Sequence, residues 1–262
     1  MTADGHTGAP LLVVRDVTLR FGGVTALSDI SFEVASGELF AIIGPNGAGK
    51  TSIFNCLSGT YRPQTGSIRL DGEELVGRRP PTIAHLGVAR TFQNIGLFTN
   101  LDVIENLMLG RHHLMRTGFL AGMVWLGRAR REEVVHRRRC EEIVELLDLG
   151  AYRRQPVGLL PYGVQKRIEL GRALAMEPRL LLLDEPVAGM NLEETEDMAR
   201  HIVAMPRELG IATILVEHDM HLVMDIADRV MVVDFGEAIA LGDPVAVQSD
   251  RRVIDAYLGQ PG

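Results

Sequence analysis

Gly44-Pro45-Asn46-Gly47-Ala48-Gly49-Lys50-Thr51 directly follows the apolar run Leu39-Phe40-Ala41-Ile42-Ile43. The octapeptide fits G-x-x-x-x-G-K-[ST], the pattern of a loop that wraps phosphate where a strand turns into a helix. Glycines let the backbone curl so that successive N–H groups face one anion, and the following helix N-terminus adds its dipole. Lys50 is placed to neutralise β- and γ-phosphate charge, and the Thr51 hydroxyl to bind Mg²⁺. The expected nucleotide contact therefore runs from Gly44 through Thr51 to Ser52.

Further along, Leu180-Leu181-Leu182-Leu183 reads as a fully buried strand, and Asp184-Glu185-Pro186 emerges at its C-terminal end. Ligands of open α/β sheets bind at that end. Asp184 is expected to hold Mg²⁺ through water and Glu185 to polarise an attacking water. A guanine-reading Asn-Lys-x-Asp element is excluded, because Asn-Lys occurs nowhere in the chain.

Around these two motifs the pattern changes twice. Strands are predicted over residues 11–20, 31–34, 38–43 and 67–70, closely spaced enough to suggest an antiparallel layer. A helix is predicted to begin after Gly47 and stop by Gly59. From about 94 to 177 the chain reads as helical; Asp102 with Glu105 forms a capping-box-like start, and 128–149 carries Val134, Ile143, Val144 and Leu147 at helical spacing. After Pro178 a strand over 180–183 is followed by a helix over 192–208, a strand over 211–216, a helix over 219–227 and a strand over 229–234, the mark of a parallel sheet covered on both faces. The expectation is one domain spanning 1–262, with an α/β core from 1–93 and 178–262 and an inserted helical subdomain at 94–177.

Composition narrows the possibilities. With 262 residues, 46% of them hydrophobic, the chain can bury a large core without disulfides or structural metal. Its net charge of −7 argues against a nucleic-acid binder held by phosphate electrostatics. Only Lys50 and Lys166 are lysine, which makes a lysine inside a motif conspicuous. The longest stretches without Asp, Glu, Lys or Arg, such as Leu39 to Gly49 and Thr117 to Gly127, are far shorter than the roughly 20 apolar residues of a membrane span. Met1 to Pro10 has no cationic, then apolar, leader pattern, and Cys56 and Cys140 stand in no metal spacing. A cytoplasmic chain with reduced, buried thiols is expected.

Further motifs, in order, carry a family resemblance. Leu160-Pro161-Tyr162-Gly163-Val164-Gln165-Lys166-Arg167 resembles the signature segment of ATP-binding-cassette ATPases. Gln93 in Arg90-Thr91-Phe92-Gln93 is similar to their Q-loop glutamine, Ala188-Gly189-Met190-Asn191 to the D-loop and His218 to the switch histidine. Phe21 sits where an aromatic stacks on adenine. Phe21 to Leu27, Arg90 to Asn94, Gly110 to His113 and Val253 to Gly259 resemble one subfamily, the longer of two paired ATPases in branched-chain amino acid importers. The resemblance implies a P-loop NTPase with a RecA-like core, an N-terminal antiparallel β subdomain and a helical insertion. It implies ATP and Mg²⁺ as ligands, with Lys50, Gln93, Glu185 and His218 as the catalytic set. It also implies a second ATPase subunit, membrane permease subunits and a substrate-binding protein as partners, on the inner face of the membrane. An importer ATPase for another cargo such as urea or amides, a lipid exporter, and an ATP-dependent switch with little turnover remain alternatives. The chain departs from the family consensus Leu-Ser-Gly-Gly-Gln by Pro161 in the Ser place and Val164 in the Gln place.

Some patterns are set aside. Asp234-Phe235-Gly236 copies a kinase metal-binding tripeptide, but no His-Arg-Asp precedes it, and a hairpin turn is expected. His218 with His221, and His112 with His113, have no third metal ligand in view. In the arginine cluster between 128 and 139, Glu133–Arg137, Arg137–Glu141 and Arg138–Glu142 are i,i+4 pairs, as on a solvated helix face.

Overall fold

The structure, a computed structural model, describes residues 9–91, 96–115 and 128–258, with the backbone alone described at 128–131 and 258. The apolar Thr117–Gly127 stretch lies outside the described residues. The chain forms two compact units, one of Met1–Arg90, Arg179–Glu185 and Ile202–Gly262, the other of Thr91–Pro178 and Pro186–His201.

Among the described residues the first unit holds two sheets. Strands β1 (Leu12–Phe21), β2 (Val24–Val34), β4 (Thr65–Leu70) and β5 (Glu73–Glu74) form an antiparallel sheet in the order β2-β1-β4-β5. Strands β3 (Leu39–Ile43), β6 (Val88–Arg90), β7 (Leu180–Asp184), β8 (Ala212–Val216), β9 (Arg229–Asp234) and β10 (Glu237–Gly242) form the other, ordered β10-β9-β3-β8-β7-β6 and parallel except at β10. The expectation that 38–43 joins the N-terminal antiparallel layer is corrected here. Every residue of β3 is buried, so it needs neighbours and cover on all sides, which the centre of a parallel sheet provides. A strand of the half-exposed layer alternates instead, as β4 does toward its end.

Helix α1 (Lys50–Leu57) starts directly after Gly49, later than Gly47, and ends before Gly59, whose φ of 74° suits glycine in a helix stop. Its Phe54 and Ile53 enter a core shared with Leu12, Ile30, Phe40, Ile42 and Leu182. Phe32 of one sheet stacks on Phe40 of the other at 5.2 Å. Short elements escape the sequence pattern: β5, β6 and α2 (Pro80–His85), which opens on two prolines tolerated in a first helical turn. Three helices, α7 (Met220–Ile226), α8 (Pro244–Gln248) and α9 (Arg251–Leu258), follow the later strands.

The second unit is built from α3 (Val103–Gly110), α4 (Arg128–Leu146), α5 (Tyr162–Leu174) and the first half of α6 (Leu192–Leu209). The capping box is present as read: the Glu105 amide donates to Asp102 Oδ1 at 2.8 Å, and the Asp102 amide to Glu105 Oε2 at 2.9 Å. Residues 186–201, which the sequence assigned to the α/β core, group with this unit. Within the unit, the Tyr162 hydroxyl donates to the Ala188 carbonyl at 3.2 Å. Arg111 is buried, and all its reach is used. Nε donates to His136 Nδ1 at 2.8 Å, Nη1 to the Ala175 carbonyl at 3.0 Å and Nη2 to Glu177 at 2.9 Å. On α4, Arg138 and Arg139 pair with Glu142 at the surface. Among the described residues no helix is long and apolar enough to cross a membrane.

Candidate nucleotide site

Strand order brings the motifs together. β3 pairs with β8, and β8 with β7, so the segments leaving their C-terminal ends become neighbours. The phosphate loop leaves β3, Asp184-Glu185 ends β7, and Glu217-His218 follows β8. A crevice outside the carboxyl ends of parallel strands is where this architecture places ligands.

Glycine is required in the loop itself. At Gly44, with φ of 150°, a Cβ would lie 2.0 Å from the Val233 carbonyl oxygen. At Gly49, with φ of 112°, it would lie 2.9 Å from that of Ala26. The Asp234-Phe235-Gly236 tripeptide proves to be structural. Phe235 and Gly236 both have positive φ and join β9 to β10, as in a primed hairpin turn, and the Gly236 amide donates to the Ala48 carbonyl at 2.8 Å. The hairpin thus buttresses the loop.

Lys50 is 6% exposed, and its ammonium rests on the carbonyls of Gly44 at 2.6 Å and Pro45 at 2.9 Å. Burial holds its pKa below the ordinary lysine value, while the charges of Glu185 and Asp184 pull it back up. A cation this desolvated, with neutral carbonyls as partners, is set to gain from an arriving phosphate. Thr51, in the first turn of α1, is exposed. Among the described residues no cluster of three or more His, Cys, Asp or Glu could hold a metal by itself. The oxygen set of Thr51 and Asp184 suits a hard cation that arrives with phosphate and keeps some of its waters, as Mg²⁺ does.

Glu185 and His218 meet, with His218 Nε2 2.6 Å from Glu185 Oε1. The Glu185 amide is pinned to the Val216 carbonyl at 2.9 Å, and its φ of 49° is left-handed, a conformation a non-glycine residue adopts at a cost of about 1 kcal/mol or more. Asp184 is 4% exposed at its side chain, and its Oδ2 accepts from Arg90 Nη2 at 2.8 Å. The other end of that guanidinium donates from Nη1 to Asn55 Oδ1 at 2.7 Å, and its carbon lies 5.5 Å from the Phe54 ring centre. Sequence reasoning treated Arg90 only as part of the segment leading to Gln93. At three residues, β6 offered no strand pattern for Arg90 to close.

Phe21, 47% exposed, meets Tyr61 edge-on at 5.0 Å, so a second aromatic supports the ring expected to face adenine. Tyr257 of α9, which the sequence offered only within the Val253 to Gly259 resemblance, has burial pushing its hydroxyl up to about 12, against a smaller lowering from the Gly44 backbone beside it. Gln93 lies outside the described residues. In the second unit, Pro161 is the N-cap of α5, with φ −54° and ψ 151° and no side-chain cap. Gly163 allows close approach, since a Cβ there would lie 2.6 Å from Glu194 Oε1. Val164 is 5% exposed, an inward position that accounts for an apolar residue in the Gln place. Asn191 and Glu194 cap α6 reciprocally, the Glu194 amide donating to Asn191 Oδ1 at 3.0 Å.

Comparison with known proteins agrees with this geometry. A family model described as ABC transporter matches residues 27–188, and one described as branched-chain amino acid ATP-binding cassette transporter matches residues 239–261. The high-affinity branched-chain amino acid transport ATP-binding protein BraF of Pseudomonas aeruginosa is 41% identical, covering 96% of this chain and 98% of its own. LivG of Escherichia coli K12, with the same description, is 39% identical over the same shares. The solved ADP conformation of an ATP-binding cassette of an ABC transporter superposes with a TM-score of 0.84 at 28% identity, covering 97% of this chain and 100% of that one. The chain belongs to the ABC transporter family, among its branched-chain amino acid ATP-binding proteins.

Proposed function

We propose that this ATPase energises an importer of branched-chain amino acids, as the longer of two paired ATPase subunits docked on membrane permease subunits at the cytoplasmic face, with a substrate-binding protein delivering cargo. The observation that carries this reading is the 41% identity with BraF across 96% of the chain, joined to the subfamily match at residues 239–261. Lys50 and the loop amides bind the β- and γ-phosphates, while Phe21 faces the adenine. Thr51 and Asp184, with Gln93, would hold Mg²⁺, which would supply neutralisation of phosphate charge. Glu185 orients and polarises the attacking water, and His218, already on its carboxylate, senses the γ-phosphate. The first-turn amides of Tyr162 and Gly163 complete the site of a second subunit, as helix N-termini do for anions. Because Pro161 offers no hydroxyl there, the site it completes is weaker than one closed by a consensus partner.

Co-purification from source membranes followed by uptake in proteoliposomes tests the assignment. Leucine, isoleucine or valine should accumulate with ATP, and Glu185→Gln should cut uptake by about 100-fold or more while ATP is still bound. Transport of urea or short amides instead, or turnover by Glu185→Gln at the ordinary rate, would refute the cargo or the role of Glu185 respectively.

A further inference from the structure

We propose that Arg90 is a positioning residue for Asp184, aiming its carboxylate and lowering the empty site's affinity for divalent cations until nucleotide phosphate arrives. The inference rests on the reading of this crevice as a Mg²⁺–ATP site. Its basis is geometric. Arg90 closes β6, β6 pairs with β7, and Arg90 stands level with Leu182, two residues before Asp184. From there Nη2 reaches Asp184 Oδ2 at 2.8 Å, while Nη1 is held by Asn55 Oδ1 at 2.7 Å and lies 3.5 Å from the Ser58 hydroxyl. The guanidinium plane is also supported by Phe54, which is fully buried. A planar fork fixed at one end by α1 fixes whatever it grips at the other.

Two features distinguish this from an ordinary ion pair. Both members are well buried, with Arg90 14% and Asp184 4% exposed at the side chain, so the attraction is little screened by salt. In addition, Arg90 Nε is buried and finds no hydrogen-bond partner among the described residues. A buried donor left open is uncommon and costly, and its retention points to a task other than stability. That task follows from charge. An isolated buried carboxylate next to the phosphate loop would attract any divalent cation. With Arg90 beside it, the pair is close to neutral. The negative charge that recruits Mg²⁺ then comes chiefly from the nucleotide, so cation and nucleotide bind together.

The test uses the full-length chain with Arg90→Gln and Arg90→Lys. Binding of a fluorescent mant-ATP in EDTA should stay within about twofold of the unsubstituted chain in both variants, because Arg90 acts on the cation rather than on the nucleotide. Mn²⁺ binding to the nucleotide-free chain, read by electron paramagnetic resonance, should tighten by about three- to tenfold in Arg90→Gln and stay near the original value in Arg90→Lys. Turnover should fall in both, since neither side chain reproduces the two-ended fork. A merely structural arginine would leave Mn²⁺ affinity unchanged or weaken it, and either result in Arg90→Gln would overturn the proposal. Should Arg90→Gln fail to fold, a looser Mn²⁺ site or undiminished turnover in Arg90→Lys would overturn it equally. Failure of the unsubstituted chain to bind mant-ATP would instead remove the nucleotide-site reading beneath it.

Discussion

Lys50 in the first unit and Arg111 in the second are both buried cations, and they are satisfied in different ways. Lys50 rests on two backbone carbonyls with the carboxylates of Asp184 and Glu185 nearby, and burial outweighs those charges, so its pKa is held down. Arg111 has a partner for each part of its guanidinium: His136, the Ala175 carbonyl and Glu177. One arrangement leaves binding energy to be realised when an anion arrives. The other is closed within the fold and supports packing. Burial of a charge therefore does not mark a functional site; incomplete pairing of the charge does.

Exchange of each cation for alanine should separate the two behaviours. Lys50→Ala removes the charge that phosphate would meet, so mant-ATP binding and hydrolysis should fall by about 100-fold or more, while the melting temperature moves by only about 3 °C. Arg111→Ala should do the reverse. It strands His136 Nδ1 and the Ala175 carbonyl, and an unfolding free-energy loss of about 2–4 kcal/mol is expected with nucleotide affinity unchanged. Urea unfolding and mant-ATP titration of both variants would decide it. If Lys50→Ala melted early and still bound nucleotide, the contrast between the two sites would be reversed.

Acid should weaken the closed network around Arg111. His136 accepts from Arg111 through Nδ1, so the imidazole is neutral with its proton on Nε2, facing Glu132 at 3.9 Å. Burial first, and then the Arg111 charge, lower the His136 pKa, against smaller opposing pulls from Glu132 and Glu177. A histidine with a depressed folded pKa adds stability that is fully present above about 6.5 and is lost as pH falls through the folded value. The unsubstituted chain should therefore lose melting temperature more steeply below pH 6.5 than His136→Asn, whose amide oxygen can replace Nδ1 without titrating. Parallel curves would show that His136 protonation is not what acid acts on.

The same contrast explains what the sequence discloses. The phosphate loop and Asp184-Glu185 are contiguous, so their chemistry can be read from neighbouring letters. The capping box of Asp102 and Glu105 is legible for the same reason, since a three-residue spacing fixes both hydrogen bonds. Arg90 on Asp184, Tyr61 under Phe21 and Tyr257 beside Gly44 depend on strand order and helix docking, which periodicity does not encode. β3 shows the limit within one element: its type was legible, but its sheet was decided by burial on both faces. β6, at three residues, is too short for any period to register.

The smallest expected effect concerns Pro161, and it tests whether the second unit also holds an incompletely paired site at the start of α5. Pro161 occupies the N-cap with extended backbone and no capping side chain, a conformation that serine adopts readily. Pro161→Ser would add a hydroxyl that can cap the helix, worth about 1 kcal/mol, and would lose a similar amount by freeing the unfolded chain. Net stability should then hardly change. Hydrolysis should rise by about two- to fivefold, as one added neutral hydrogen bond to phosphate allows, and only at protein concentrations where subunits pair. An equal gain in dilute protein would place the effect within one chain, and no gain at all would show that the Tyr162 and Gly163 amides suffice. Val164 offers no matching reversal. Its side chain is buried, so glutamine there would bring an amide into the packed interior at a cost of about 1–3 kcal/mol, and Val164→Gln should lower stability without raising turnover. Of the two departures from consensus, the one at the helix cap is reversible because its side chain has no packing role, whereas the other has become part of the core.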